Sequence, residues 1–221
     1  MNDITTDRRP RVIERYTANE RTSHWIVAIL FVLAAVSGLA LFHPALFWLS
    51  ALLGGGTWTR ILHPFLGLLM IFAFAVLAAG MWKSNKMEPR DWQWLRQSRD
   101  VVNNREERLP EVGRFNAGQK LLFVLLVVCA IVLLLSGFVI WREFFSPLFS
   151  LGVVRFAGVM HALFAFILIC AIIVHIYAGF WVKGSIGAMT RGTVTPGWAW
   201  KHHRAWFREK LHATNTRTRS D

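Results

Sequence analysis

An uncharged stretch near the carboxyl end of the chain, residues 161–182, decides the fold; it reads HALFAFILICAIIVHIYAGFWV. The stretch belongs to an apolar block, residues 154–182, that is long enough for a tilted membrane span. A transmembrane helix needs about 20 mostly apolar residues to cross a hydrocarbon core about 30 Å thick. Because the apolar run is continuous rather than alternating, a helix is favoured over a strand of a barrel. We therefore expect this block to span a membrane.

Three similar blocks precede it, at about residues 23–42, 60–82 and 119–141. Charged residues are concentrated between the blocks, although 54% of the 221 residues are hydrophobic. The pattern predicts an all-α integral membrane protein with a four-helix bundle over residues 23–182. The expected flanking parts are an N-terminal segment 1–22, a loop 83–118 and a basic tail 183–221.

Local signals predict where two of the helices begin. Thr22 and Ser23 are residue types that cap helix N-termini, so we expect them to cap the first helix. Pro64 suits the first turn of a helix, where its missing N–H is not needed, so we expect it there in the second helix.

The distribution of Lys and Arg predicts the orientation. Segments 1–21, 83–120 and 183–221 together carry 22 of these residues, and the opposite side carries only Arg60, Arg142 and Arg155. By the positive-inside rule, both termini and the central loop should be cytoplasmic. The net charge of +12 is accounted for by these flanks, which suit anionic lipid headgroups. We therefore expect membrane lipid, and no nucleic acid, as a partner.

Four histidines fall within the predicted spans, where ionisable residues are costly and usually functional. His161 and His175 are 14 residues apart in the fourth span, so they project to nearly the same face, about 21 Å apart along the helix. The topology gives each a partner at its own depth: His24 for His175 on the inner side, and His63 for His161 on the outer side. Two imidazole pairs in a helical bundle suit two six-coordinate b-type haems, with Gly67, Gly179, Gly38 and Gly137 as candidates for close approach of the macrocycle or for helix packing.

Other histidine chemistries fit less well. A proton relay would be accompanied by Asp or Glu within the spans, which contain neither. A non-haem metal site would need three or four ligands at one depth, where this sequence offers two. His43 could replace His63 as the outer ligand, but its place at a helix end favours a surface role. The tail histidines His202, His203 and His212 are interpreted as solvated surface residues among basic neighbours.

Five short segments are similar, in order, to segments of one known family. They are RTSHW at 21–25, RILHPF at 60–65, FNAGQK at 115–120, VHIY at 174–177 and FWVKGSI at 180–186. Together they resemble the cytochrome b556 (gamma) subunit of membrane-bound formate dehydrogenases, over about residues 12–210. The runs at 116–120 and 181–185 are the most specific. Cys170 is a departure, since relatives can carry a further histidine there; it points away from His175 on the helix.

The resemblance implies the membrane-anchoring, quinone-reducing subunit of a formate dehydrogenase in the bacterial cytoplasmic (inner) membrane. Electrons from formate would pass from a molybdenum or tungsten catalytic alpha subunit through an iron–sulfur beta subunit to this chain. His63 and His161 would then ligate an outer haem b and His24 and His175 an inner one, the pairs that depth alone gives. No formate-oxidising site is expected in this chain, which has two cysteines, Cys129 and Cys170, in no CxxC motif.

The resemblance also implies a quinone pocket formed by Asn116, Gly118 and Gln119 with His175. The two amides could donate hydrogen bonds to quinone carbonyls. From the residues alone, Asn116 is equally well the N-cap of the third helix with Gln119 as its capping-box partner, and the two roles are compatible. Lys120 is expected to meet a haem propionate or a lipid phosphate.

Two other functions remain open from the sequence. The first is the cytochrome b subunit of a nickel–iron hydrogenase or a related respiratory oxidoreductase with the same bundle. The second, outside redox chemistry, is a haem-free transporter or assembly factor. A b-type spectrum separates the second of these from the haem proteins, and the co-purifying subunits separate the first from a formate dehydrogenase.

Overall fold

Four long apolar helices dominate the computed structural model, which describes residues 12–103, 105 and 108–217. The outermost parts of the predicted N-terminal segment and tail, and residues 104, 106 and 107 of the predicted loop, lie outside the described residues. In chain order the helices and strands are β1 (Ile13–Glu14), α1 (Ala18–Phe42), α2 (Gly56–Met81), α3 (Pro89–Arg96), α4 (Ser98–Val102), α5 (Ala117–Ile140), α6 (Leu151–Trp181), α7 (Ser185–Arg191), β2 (Thr193–Val194), α8 (Pro196–His202) and α9 (Arg204–Arg217). Short 3-10 helices cover Pro44–Leu53, Trp82–Asn85 and Ser146–Leu148.

The long helices α1, α2, α5 and α6 turn large apolar side chains outward. Ile29, Phe72, Leu135 and Phe166, one from each helix, are 61%, 69%, 61% and 66% exposed. A bundle in water would bury most such side chains, whereas a bundle in lipid presents them to the hydrocarbon. All four helices are long and apolar enough to cross a membrane. The prediction of an all-α membrane four-helix bundle is confirmed.

The first helix begins earlier than its capping signals predicted. Thr17 and Glu20 form a capping box: Thr17 Oγ1 accepts from the Glu20 N–H at 3.3 Å, and Glu20 Oε2 accepts from the Thr17 N–H at 3.0 Å. The helix therefore starts at Ala18, and the expectation that Thr22 and Ser23 cap it is wrong. The reciprocal pair satisfies two backbone N–H groups, whereas a threonine alone would satisfy one.

The second helix also begins before its expected start. Gly54 and Gly55 adopt φ values of 83° and 95°, which turn the chain sharply, and α2 starts at Gly56. The Thr59 hydroxyl donates to the Gly55 carbonyl at 2.9 Å and closes this turn. Pro64 therefore lies inside the helix. The expectation that it stands in the first turn is wrong.

The bundle consists of two helix hairpins. We call α1 with α2 the first hairpin and α5 with α6 the second; the helices pack far more extensively within a hairpin than between hairpins. Where the hairpins meet, buried Met70, Phe74, Ala78 and Ala130 form a core. The 3-10 segments Pro44–Leu53 and Ser146–Leu148 lie at one end of the bundle, which we call the connection end. Both described chain ends and α3 lie at the other, the terminal end.

A smaller core at the terminal end joins the two ends of the chain. β1 pairs antiparallel with β2, so that Ile13 lies opposite Val194. Beneath this pairing the tail cluster buries four side chains: Ala188, Val194, Ala199 and Trp206. The expectation that His203 is a solvated surface residue is wrong, since it is 3% exposed and lies at the edge of this cluster.

Arg15 and His203 connect the tail cluster to the segment before α5. The Arg15 guanidinium donates to the Arg114 carbonyl, packs over the Trp206 ring at 4.5 Å and lies 3.3 Å from His203 Nε2. His203 Nδ1 donates to the Gly113 carbonyl at 2.8 Å, so the neutral imidazole has a use for both nitrogens. Burial, and then the neighbouring Arg15 charge, lower the pKa of His203 to about 3.

We expect the tail cluster to loosen as pH falls below about 6.5. An unfolded histidine protonates near pH 6.5, whereas His203 in the fold resists until about pH 3. Its contribution is therefore complete above pH 6.5 and is lost toward pH 3, by up to about 1.4 kcal/mol per pH unit. Amide hydrogen exchange over residues 193–207, corrected for intrinsic pH dependence, measures this slope. His203→Gln should flatten it and His212→Gln, at an exposed position, should not; equal slopes in both variants would contradict the assignment.

A buried ion pair fastens α3 to the start of α5. Lys120 Nζ lies 2.7 Å from Asp91 Oδ2, and the two side chains are 4% and 6% exposed. Asp91 Oδ2 also accepts from the Glu88 N–H at 2.7 Å. Lys120 thus pairs with Asp91 and not with the haem propionate or lipid phosphate expected from the sequence.

Candidate functional site

The four span histidines form two pairs near opposite ends of the bundle. His63 of α2 and His161 of α6, the connection-end pair, have ring centres 6.3 Å apart. His24 of α1 and His175 of α6, the terminal-end pair, have ring centres 6.2 Å apart. Each pair thus takes one ring from the first hairpin and one from α6, and the structure brings together the same residues that depth had paired.

The separation within each pair fits an iron held between two imidazoles. A nitrogen ligand lies about 2.0–2.1 Å from its metal. In a ring with bonds of about 1.33 Å, the nitrogen lies about 1.1 Å from the centre. Two axial imidazoles should therefore have centres about 6.3 Å apart, whatever their rotation about the common axis. The observed 6.2 and 6.3 Å, with interplanar angles of 52° and 81°, meet this condition.

Each ring of the connection-end pair is held by a serine of the neighbouring helix. Ser37 Oγ lies 2.8 Å from His63 Nδ1, and Ser136 Oγ lies 3.0 Å from His161 Nδ1. Both serines are buried, at 0% and 6% exposure. Because Nδ1 is engaged in both rings, Nε2 is the nitrogen that each can offer to a metal.

The glycine after each serine makes room for the same ring. A Cβ at Gly38 would lie 3.0 Å from a ring carbon of His63, and one at Gly137 would lie 3.4 Å from the same carbon of His161. These two glycines therefore admit imidazoles of the adjacent helix, which agrees with the expected role in helix packing.

Gly67 and Gly179 have different surroundings. A Cβ at either would meet no atom within 4 Å, and each glycine follows a histidine by about one helical turn. A flat macrocycle centred near the histidine could lie against such bare helix surface. These positions fit the expected role of admitting a porphyrin.

The terminal-end pair contains an orphaned polar atom. His24 Nδ1 is buried and has no hydrogen-bond partner among the described residues. Leaving a buried imidazole nitrogen unsatisfied costs about 1–3 kcal/mol, so the atom needs an explanation, and a bound group is one. This observation also fits a bound group between His24 and His175.

His43 has a local structural use that sets it apart from the pairs. It is exposed, and its Nδ1 accepts from the Ala45 N–H at 3.2 Å, which caps the 3-10 helix that follows. In the described part of the chain, no three His, Cys, Asp or Glu side chains come together as a metal site. Two imidazoles at each end remain the metal-binding arrangement that the described residues offer.

The residues expected at a quinone pocket lie at the start of α5. Asn116 Oδ1 accepts from the Gln119 N–H at 2.9 Å and Gln119 Oε1 accepts from the Asn116 N–H at 3.0 Å, a complete capping box. Gly118 faces α3, where a Cβ would lie 3.5 Å from the Trp94 ring. Capping uses the two side-chain oxygens, so the amide NH₂ groups are the parts of Asn116 and Gln119 that could donate to a ligand.

Sequence reasoning missed the two serines. Serine is common in membrane helices, where its hydroxyl usually bonds to its own backbone, so a single one carries little signal. The usable signal was a repeat: Ser37-Gly38 in the first long helix and Ser136-Gly137 in the third, each in the helix before one that carries a histidine of the connection-end pair.

Comparison with known proteins gives the same family throughout. The family described as prokaryotic cytochrome b561 matches residues 15–192. The chain is 44% identical over 207 residues to the formate dehydrogenase cytochrome b556(fdo) subunit of Escherichia coli (strain K12), covering 94% of this chain and 97% of that protein. It is 40% identical to the formate dehydrogenase cytochrome b556 subunit of Haemophilus influenzae, covering 96% and 88%. A third relative, the nitrate-inducible cytochrome b556(Fdn) subunit of formate dehydrogenase from Escherichia coli (strain K12), is 39% identical, covering 91% and 93%.

Proposed function

Because the chain belongs to the prokaryotic cytochrome b561 family, we propose that it is the membrane cytochrome b subunit of a formate dehydrogenase and holds two b haems. The observation that most strongly supports this proposal is the geometry of the two histidine pairs, whose ring centres lie 6.2 and 6.3 Å apart. The names of relatives at 39–44% identity support formate dehydrogenase as the enzyme to which it belongs.

The residues that would hold the haems follow from the pairing. His63 and His161 would hold one and His24 and His175 the other, with Gly67 and Gly179 as bare helix surface near the macrocycles. Bound haem iron takes up and releases one electron at a time. His161 and His175 are separated by about 21 Å along α6. That distance places the two sites near the two faces of a hydrocarbon core about 30 Å thick, which suits transfer of electrons across it.

The excess of Lys and Arg at the terminal end orients the protein. We infer that both termini and the loop between α2 and α5 are cytoplasmic, in a bacterial inner membrane. The connection-end pair is then the outer one and would receive electrons from an iron–sulfur beta subunit. A molybdenum or tungsten alpha subunit would oxidise formate, and we expect no site for that reaction in this chain.

The inner end is where we infer quinone reduction. Asn116, Gly118 and Gln119 begin α5 at the terminal end, the same end as His175. The capping box fixes the orientation of both amides, so their NH₂ groups are held ready to donate to quinone carbonyls. Their position beside the water-exposed loop gives reduced quinone access to protons.

Purification of the intact complex tests the proposal. The full chain, carrying an affinity tag and expressed in its own host, should copurify with iron–sulfur and molybdenum or tungsten subunits. It should carry two b-type haems per chain that formate reduces. A nickel–iron hydrogenase partner in place of the formate-oxidising one would overturn the assignment to formate dehydrogenase. Absence of b-type absorbance from the purified complex would overturn the haem assignment as well.

A further inference from the structure

We propose that Ser37 and Ser136 are positioning residues that fix the tautomer of the connection-end histidines and set the redox potential of that haem below the potential of the other. The proposal rests on the two-haem function inferred above. It concerns how the two sites come to differ, which neither the family nor the pairing of histidines explains.

The two hairpins present the same device twice. In the first, the Ser37-Gly38 dipeptide of α1 receives the His63 ring of α2; in the second, the Ser136-Gly137 dipeptide of α5 receives the His161 ring of α6. The serine binds Nδ1, and the glycine leaves space for the ring, since an added Cβ would lie only 3.0 Å from the His63 ring or 3.4 Å from the His161 ring. The two contacts share the order serine then glycine, the nitrogen that is bound, and a position in the first helix of the hairpin. Two unrelated packing contacts would not share all three features.

We infer the direction of each serine–histidine hydrogen bond from the second partner of the hydroxyl. A serine hydroxyl has one proton to donate and two lone pairs that accept. Each hydroxyl lies within donating distance of a carbonyl of its own helix, Ser37 at 3.0 Å and Ser136 at 2.6 Å. With its proton spent there, the oxygen accepts from the imidazole, so His63 and His161 both carry Nδ1–H and present an Nε2 lone pair to the iron.

The terminal-end pair lacks this support among the described residues. His24 Nδ1 is buried with no hydrogen-bond partner among the described residues. A metal-bound imidazole that donates its second N–H is a more basic ligand than one that does not. A more basic axial ligand stabilises the oxidised iron and lowers its potential. The serines therefore lower the potential of the connection-end haem selectively.

This difference gives the electron path a direction. An electron that enters at the connection end, where the proposed iron–sulfur partner docks, moves toward the site of higher potential at the terminal end. This difference in potential favours delivery of electrons to the quinone side. It arises from two hydroxyl groups, one in the first helix of each hairpin.

Redox titration of the intact complex tests the proposal. Ser37→Ala and Ser136→Ala should each retain two haems per chain and raise the midpoint potential of one haem only. The double variant should raise it further. A variant lacking His161 identifies which spectral component belongs to the connection-end haem. The unchanged potential of the other haem in the same sample is an internal control, and Thr190→Ala, which removes a hydroxyl bonded only within its own helix, should shift neither.

Several outcomes would overturn the inference. Alanine variants that keep both haems at unchanged potentials, a downward shift, or an equal shift of both haems would each do so. If Ser37→Ala or Ser136→Ala loses the haem, threonine at the same position, which retains a hydroxyl, should keep the haem at the wild-type potential; loss of the haem from the threonine variant as well would count against a role of the hydroxyl. A wild-type complex without haem would overturn the proposed function itself, a result distinct from haem that is present and unshifted.

Discussion

Replacing His161 by alanine should remove one of two haems and halve the haem content of the purified complex. Replacing His63 should remove the same haem, because in the proposed arrangement the two rings, 6.3 Å apart, share one iron. Replacing His24 or His175 should remove the other haem. Haem per chain, with electron paramagnetic resonance and the α-band of the remaining haem, measures both the loss and its identity.

His43→Ala is the matched control for this experiment. His43 lies at the connection end, as His63 does, but it is exposed and caps a 3-10 helix. Its loss should leave both haems in place at a small cost in stability. Removal of different haems by His63→Ala and His161→Ala would show that the pairing is wrong, as would retention of two haems in either variant.

Lys120→Met should release α3 from the bundle, with a loss of about 3–5 kcal/mol of docking free energy. The substitution leaves the Asp91 carboxylate buried at 6% exposure without its 2.7 Å partner, and an unpaired buried charge is costly. Amide hydrogen exchange of residues 89–102 reports the opening of this segment. Exchange should approach that of an undocked helix if the pair is what holds α3.

Two further variants separate the charge effect from packing. In Lys120→Met with Asp91→Leu, both charges are gone, so much of the loss should be regained, because a buried pair replaced by apolar groups is often neutral. Arg90→Met removes the exposed Arg90–Glu88 pair, whose side chains are 37% and 45% exposed, and should cost no more than about 1 kcal/mol. Equal losses from Lys120→Met and Arg90→Met would show that burial of the pair is not what matters.

The membrane spans and the histidine pairs were predictable because each depends on short-range rules. Lipid forces a spanning segment to satisfy its own backbone, so a long apolar run becomes a helix whatever its neighbours do. Along such a helix, the number of residues fixes depth and facing, which was enough to pair His161 with His63 and His175 with His24.

What escaped prediction depends on contacts between distant parts of the chain. His203 looked like a surface residue beside Lys201 and Arg204, but its neighbours in space are Arg15 and Gly113, far away in sequence. The Asp91–Lys120 pair similarly joins two elements that no local pattern connects. Such long-range polar contacts depend on how the terminal end folds together. The periodicity of apolar residues along the sequence contains no information about that.

Capping was predictable in kind and misplaced in position. The capping box of Asn116 and Gln119, one of the two compatible roles predicted for them, is confirmed. The first helix is instead capped by Thr17 and Glu20, which follow the same rule a few residues before the expected start. The apolar run in the sequence predicts the part of α1 that lies in lipid, and the helix itself begins before that run, at Ala18. A membrane span and the helix that contains it therefore need separate boundaries.

α6 carries one histidine of each pair, and this constrains how the chain can change over evolutionary time. One inserted or deleted residue between His161 and His175 would turn one ring by about 100° and move it about 1.5 Å along the axis. Neither ring could then face its partner on the first hairpin without disturbing the other. The residues between His161 and His175 can thus exchange side chains, but their number is fixed.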